Sequence, residues 1–130
     1  MKFKHPEDEA DFVKFGHIKI WWILRILDYS AKLLGAAKKS HYGSELFEVL
    51  VTSARRPAGE KPSYHPKGQA VDIRTKERPA EFVEVIKELL RLLQGIDPKI
   101  TWLHESIGQE NEHIHIQYRE GEPAVLKKPI

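Results

Sequence analysis

An acid stands in the middle of a short apolar strand in this chain. Residues 69–75 read Gln-Ala-Val-Asp-Ile-Arg-Thr, with Val71 and Ile73 alternating around Asp72. Alternation sends the two apolar side chains to one face and the carboxylate to the other. Burying an ionised carboxylate is costly unless a cation or hydrogen bonds satisfy it. The fold must therefore bring a partner to Asp72. A second stretch has the same grammar. In His-Ile-His-Ile-Gln-Tyr at 113–118, Ile114 and Ile116 point to a core, and His113 and His115 project together from the opposite face.

A third element points the same way. His65 lies in the loop that leads into the Asp72 strand, with Gly68 to turn the chain back and the small Ala70 leaving room beside the acid. The chain has no cysteine, so a metal can be held only by His, Asp or Glu. Two imidazoles and one carboxylate, with a fourth position open to water, is a catalytic zinc arrangement. A half-exposed strand that happens to use His on its polar face is the bland alternative for His113 and His115 taken alone.

The remaining elements frame these stretches. Residues 18–34 carry a broad apolar side (Ile20, Ile23, Leu24, Leu27, Ala31, Leu34), with Arg25, Asp28 and Lys32 opposite and Gly35 as a stop signal. Trp21 and Trp22 read as core or cleft wall. Residues 46–53 read as a strand, and 54–68, with three prolines and two glycines, as a loop. Pro79 opens a second helix with Phe82, Val85, Ile86, Leu89, Leu90 and Leu93 at helical spacing, ending near Gly95. Two more strands follow, at 100–105 and 113–119. The expected architecture is α+β: a small, mostly antiparallel sheet of about four strands with two main helices. Residues 1–130 are read as one domain, with 1–17 as a lead-in and 119–130 as a surface tail.

Composition narrows the function classes. Apolar residues make up 41% of the 130-residue chain, charged residues 31%, and the net charge is +2. The mild, dispersed basic charge argues against a dedicated nucleic-acid binder. The long apolar run at 18–34 contains Lys19, Arg25, Asp28 and Lys32, which argues against a membrane span. The charged start of the chain is no signal peptide, so a cytoplasmic location when made is expected, and a monomer.

Ser-Tyr-His-Pro-Lys-Gly-Gln-Ala-Val-Asp at 63–72 matches the pattern S-x-H-x-x-G-x-A-x-D, and Glu-His-Ile-His at 112–115 supplies both E-x-x-H and H-x-H. Together they resemble the zinc D-alanyl-D-alanine carboxypeptidase family, which includes phage L-alanyl-D-glutamate endopeptidases and shares its fold with lysostaphin-type peptidases and the hedgehog signalling domain. The resemblance covers roughly residues 49–118. It implies His65, Asp72 and His115 as zinc ligands, Glu112 as general base, and His113 as a further hydrogen-bond donor or a rival base. It also implies that Arg56, in Val-Thr-Ser-Ala-Arg-Arg-Pro, faces the substrate carbonyl or carboxylate, with Arg55 as competitor. Ser63 is implied in the loop or at the substrate.

The implied activity is hydrolysis of an amide in peptidoglycan stem peptides, on a cell wall reached after lysis or release. Two alternatives remain: an inactive, zinc-stabilised binding module, or a phage structural protein on the same scaffold. Glu112 and Arg56 beside the ligands favour the enzyme, since a purely structural zinc wants four closed protein ligands. The segment between Arg56 and Ser63 is shorter than is usual for the family, and the Trp-containing second motif is missing. Cleft rim, substrate choice and the bond cut stay open. His104, Glu105 and Glu110 are fallback site residues, while His5, His17 and His41 read as structural or surface.

Overall fold

A computed structural model describes residues 1–38 and 44–126. Five strands form one mixed sheet: β1 (Lys2–Phe3), β2 (Leu50–Ser53), β3 (Ala70–Arg74), β4 (Ile100–Glu105) and β5 (His113–Tyr118). Their order is β1-β2-β3-β5-β4. β1 runs parallel to β2, and the other neighbours are antiparallel. Three helices accompany the sheet: α1 (Pro6–Phe15), α2 (Ile18–Ala37) and α3 (Ala80–Ile96). The α+β class is as expected. The extra strand and helix both come from residues 1–17, which are an integral layer and not a lead-in.

Helical signals are present in that segment, but its single buried face is easily missed. Pro6 opens α1, Glu7, Asp8 and Glu9 crowd its first turn, and Lys14 stands in its last. This order of charge complements the helix dipole. Only Phe12 is fully buried, packed with Phe3 and the half-buried Trp21, whose indole N–H donates to the Phe12 carbonyl (3.2 Å). Trp22, by contrast, is exposed and lines no core.

Two boundaries differ from expectation for packing reasons. Gly35 does not stop α2, which continues to Ala37. A Cβ there would lie 2.6 Å from the Phe47 Cβ, so the glycine serves a close approach. Residues 44–47 form a 3₁₀ turn and the strand starts only at Leu50. Just before it, the Val49 N–H donates to Asp28 Oδ1 (3.0 Å), which buries an acid that periodicity assigned to the polar side of α2. His41 lies outside the described residues.

One face of the sheet carries the core. Val51, Val71, Ile73, Ile114 and Ile116 meet Ile20, Leu24 and Leu27 of α2 and Phe82, Ile86 and Leu90 of α3. Burying each such side chain contributes about 1.5–3 kcal/mol. A one-residue slip would turn those of a strand outward, so the register is firmly set. That register pairs Asp72 with His115 and Arg74 with His113 across β3 and β5, and Leu103 with His115 and Glu105 with His113 across β4 and β5. All of these project from the face opposite the core. The tail is bound at Ala124, which bridges to Ser63. No helix among the described residues is long and apolar enough to cross a membrane.

Candidate metal centre

The strand pairing delivers what Asp72 requires. Asp72 and His115 are direct cross-strand neighbours, and His65 reaches them from a 3₁₀ turn (His65–Lys67) at the end of the long loop. One potential ligand atom from each of the three lies within 4.8 Å of the others, and they are the only such group among the described residues.

Each imidazole is oriented by its other nitrogen. His65, fully buried, has Nδ1 2.6 Å from the Ala54 carbonyl, which can only accept. Nδ1 therefore carries a proton, and in the neutral ring Nε2 keeps the lone pair. That Nε2 is buried without a partner, 3.6 Å from Asp72 Oδ1 and too far for a hydrogen bond. His115 uses the opposite atoms. Its Nε2 lies 2.8 Å from Gln117 Oε1, and its Nδ1 2.9 Å from Asp72 Oδ1. Between Nδ1 and the carboxylate there is a place for a proton or a metal ion. An orphaned imidazole nitrogen, a second imidazole and a carboxylate converging on one point fit zinc's donor preferences. Both hydrogen-bonded ring partners are of the kind that orient ligating histidines in metal sites.

Electrostatics agree with this picture. Burial pushes the Asp72 carboxyl up, but the hydrogen bond from His115 and the nearness of both imidazoles hold it well below the usual carboxylate range. Burial pulls His115 down, and hydrogen bonds to Asp72 and Gln117 outweigh it, so its pKa is raised above the ordinary imidazole value.

Gly68 and Ser63 shape the loop. Gly68 has φ +70°, and a Cβ there would meet the Phe15 carbonyl at 2.6 Å, so the turn that presents His65 packs directly on the N-terminal segment. Ser63 Oγ accepts from the His65 N–H (3.1 Å). Its role seen here is inside the loop, holding the turn. Ala70 is fully buried on the metal-site side of β3.

The two arginines separate. Arg55 is bidentate to Asp11 of α1 (2.8 Å each) and lies over the Phe15 ring. Arg56 is bonded to Ser53 Oγ (3.1 Å), stands 3.8 Å from Asp72 Oδ2, and lines a cleft of about 710 Å³ beside the metal group. His113 and Glu112 line the same cleft, but their polar atoms go to different places. His113 Nδ1 is 2.7 Å from the Asn111 carbonyl, which leaves Nε2 toward Asp72 Oδ1 (3.9 Å) and Glu105 (3.6 Å).

Glu112 precedes β5, as a base role for it requires. Its carboxylate, however, accepts from Thr75 Oγ1 (2.6 Å) and the Gly108 N–H (3.0 Å), and Oε2 lies 3.2 Å from His104 Nε2. His104 pairs with Ile114 in register and shares its face, and it meets Glu112 at the end of the sheet, where Glu112 also borders the cleft. The Gly108 N–H first, and Thr75 next, lower the Glu112 carboxyl to about 2. His104 is thus Glu112's neighbour and not a member of the metal group. Glu105 and Glu110 both line the cleft, and His17 caps α2 by accepting from the Lys19 N–H.

Periodicity passed over three residues that the site uses. Arg74 and Gln117 each lie two positions beyond a proposed ligand and so share its face, a signal available from alternation alone. Lys4 reaches the cleft only because β1 joins the sheet. Comparison of the chain with protein-family models, with curated proteins and with solved structures gives no match.

Proposed function

We propose that this chain is a zinc-dependent peptidase that hydrolyses an amide in peptidoglycan stem peptides, on a scaffold of the D-alanyl-D-alanine carboxypeptidase and hedgehog type. The observation that carries the reading is the buried, partnerless His65 Nε2 facing Asp72 beside His115. Bound zinc would supply a Lewis acid and lower the pKa of water to near neutrality. Hydrolysis adds the water oxygen to the carbonyl carbon and breaks the C–N bond. Both water protons end on the departing nitrogen, giving a carboxylate and an ammonium group.

Within this reading His113 moves the proton. Its Nδ1–H is held by the Asn111 carbonyl, so Nε2 is the free acceptor on the cleft side. Arg56 offers a guanidinium to the carbonyl oxygen as negative charge builds there. Glu112, the rival base, would first have to give up three hydrogen bonds. Access to the wall would follow lysis or release.

That engagement of Glu112 favours a second reading, a zinc-stabilised binding module without turnover. Elemental analysis of the purified chain and mass spectrometry of digested peptidoglycan fragments separate the two. The enzyme reading expects stoichiometric zinc and new peptide termini. It further expects His113→Ala to lower kcat by about 10²–10⁴-fold with zinc retained. Zinc without turnover leaves the module, and a chain that takes up no zinc excludes both. If Glu112→Gln gives the large loss and His113→Ala does not, the base is Glu112.

A further inference from the structure

The sheet has two edges, and the chain treats them differently. β1 is two residues long, with Lys2 in it and Lys4 next to it. Short length and lysine are common guards against pairing with another chain. β4, at the other edge, runs for six residues, Ile-Thr-Trp-Leu-His-Glu, with no proline or lysine among them. Its register with β5 is unbroken from Ile100 to Glu105, so no bulge turns it away. Its β-branched and aromatic residues suit a strand.

Backbone bonds show which residues of β4 face outward. The Arg119 N–H donates to the Lys99 carbonyl, and alternation then turns the peptide groups of Thr101, Leu103 and Glu105 toward β5. Those of Ile100, Trp102 and His104 point away from the sheet. The Ile100 N–H is bonded to the Asp97 carbonyl (3.0 Å). Among the described residues, no strand meets the N–H groups of Trp102 and His104 or the carbonyls of all three. Leu103, 62% exposed, stands at this edge on the face that carries His115.

These features fit a second copy of β4 running antiparallel. Outward residues must then meet outward residues. With Trp102 opposite its own counterpart, all three are matched. Trp102 bonds to the partner's Trp102 in both directions, and each His104 N–H reaches the Ile100 carbonyl across the seam. Sliding the strands from this register leaves an outward residue without a strand opposite it. The same register sets Lys99 opposite Glu105 of the partner subunit at both ends of the seam. These are exposed side chains of opposite charge. It also sets Leu103 opposite the partner's Thr101, which covers part of the exposed leucine.

We propose that the chain forms a two-fold dimer by pairing β4 with β4 of the partner, joining two five-stranded sheets into one. The sequence alone suggests a monomer, because an edge becomes visible only in the assembled sheet. Both metal groups then lie on one face, their β5 strands three intervals apart, roughly 14 Å across the sheet. Leu103 of the partner subunit stands beside Thr101 and borders the hollow of about 390 Å³ next to His115, which Thr101, Leu103, Gln117 and Arg119 line. The dimer does not depend on the peptidase reading.

Sedimentation velocity of the full chain between about 1 μM and 1 mM reads the association, since a single strand pair is a small interface. A monomer–dimer equilibrium is expected. Leu103→Lys adds a charge at the seam on an exposed position and should weaken dimerisation about tenfold or more, with the far-UV circular dichroism unchanged. Lys99→Glu should weaken it about tenfold, and adding Glu105→Lys should restore it, because reversing both charges keeps the pair. A chain that stays monomeric across the range overturns the proposal. So does a dimer that Leu103→Lys leaves intact. A double charge reversal that fails to restore association overturns the register.

Discussion

Two clusters of imidazole and carboxylate, around Asp72 and around Glu112, border the same cleft, and they differ in one respect that matters. The Asp72 cluster combines two imidazoles, one of them with a buried Nε2 that meets no partner, around an acid beside an open cleft. The Glu112 cluster closes its acid with a hydroxyl, a backbone N–H and an imidazole. His104 also has a partnerless buried nitrogen, Nδ1, but the nitrogen it turns to the acid is Nε2. Both carboxyls lie below their usual range, so the direction of the shift does not tell a site from a tether. What separates them is whether a donor atom is left over at the point where the others converge. A satisfied network rigidifies, and an unsatisfied one is a place for a ligand.

Three substitutions test that contrast, ordered by their expected effect on zinc. Asp72→Ala removes the shared acid and should weaken zinc binding by more than a hundredfold, beyond the 10–100-fold typical of losing a residue that only orients a ligand. Competition with a fluorescent chelator reads this directly, and near-normal affinity would mean that the two histidines are merely neighbours. Gln117→Ala frees His115 Nε2 and should cost about tenfold in the same assay.

Glu112→Ala should leave zinc affinity unchanged and instead lower stability by about 1–3 kcal/mol at pH 7, measured by urea denaturation. Its pH dependence follows from a folded pKa of about 2 against an ordinary value of 4.5. A depressed carboxyl stabilises the fold above the unfolded value and loses that contribution as pH falls toward the folded one. The gap between wild type and variant should therefore close between about pH 4.5 and pH 2. A variant that keeps full stability but loses zinc would move Glu112 into the metal group.

Much of the site was legible because it rests on alternation. Val71 and Ile73 around Asp72, and Ile114 and Ile116 around His115, define which face each polar residue takes, and that needs no tertiary knowledge. The glycine at 68 was readable as a turn, although its second reason, the Phe15 carbonyl pressed against it, was not. The lead-in was misjudged because β1 has only two residues, and its pairing partner lies nearly fifty positions away. The choice between Arg55 and Arg56 also escaped local reasoning. It depends on Asp11, which α1 carries to one arginine and not the other.

By itself, then, the chain determined which residues can share a face, which stretches must be buried, and that any metal would be held by histidine and carboxylate. Those properties follow from strand periodicity and from the cost of burying charge, both of which act between near neighbours. Only the tertiary structure decided that β3 lies against β5 in the register that joins Asp72 to His115. It also decided that Glu112 is drawn to Thr75 and His104, and that Lys4, carried by the strand segment at the start of the chain, borders the cleft beside Asp72. These depend on contacts between segments far apart in the chain, where packing of the shared core selects one arrangement from many with the same local pattern.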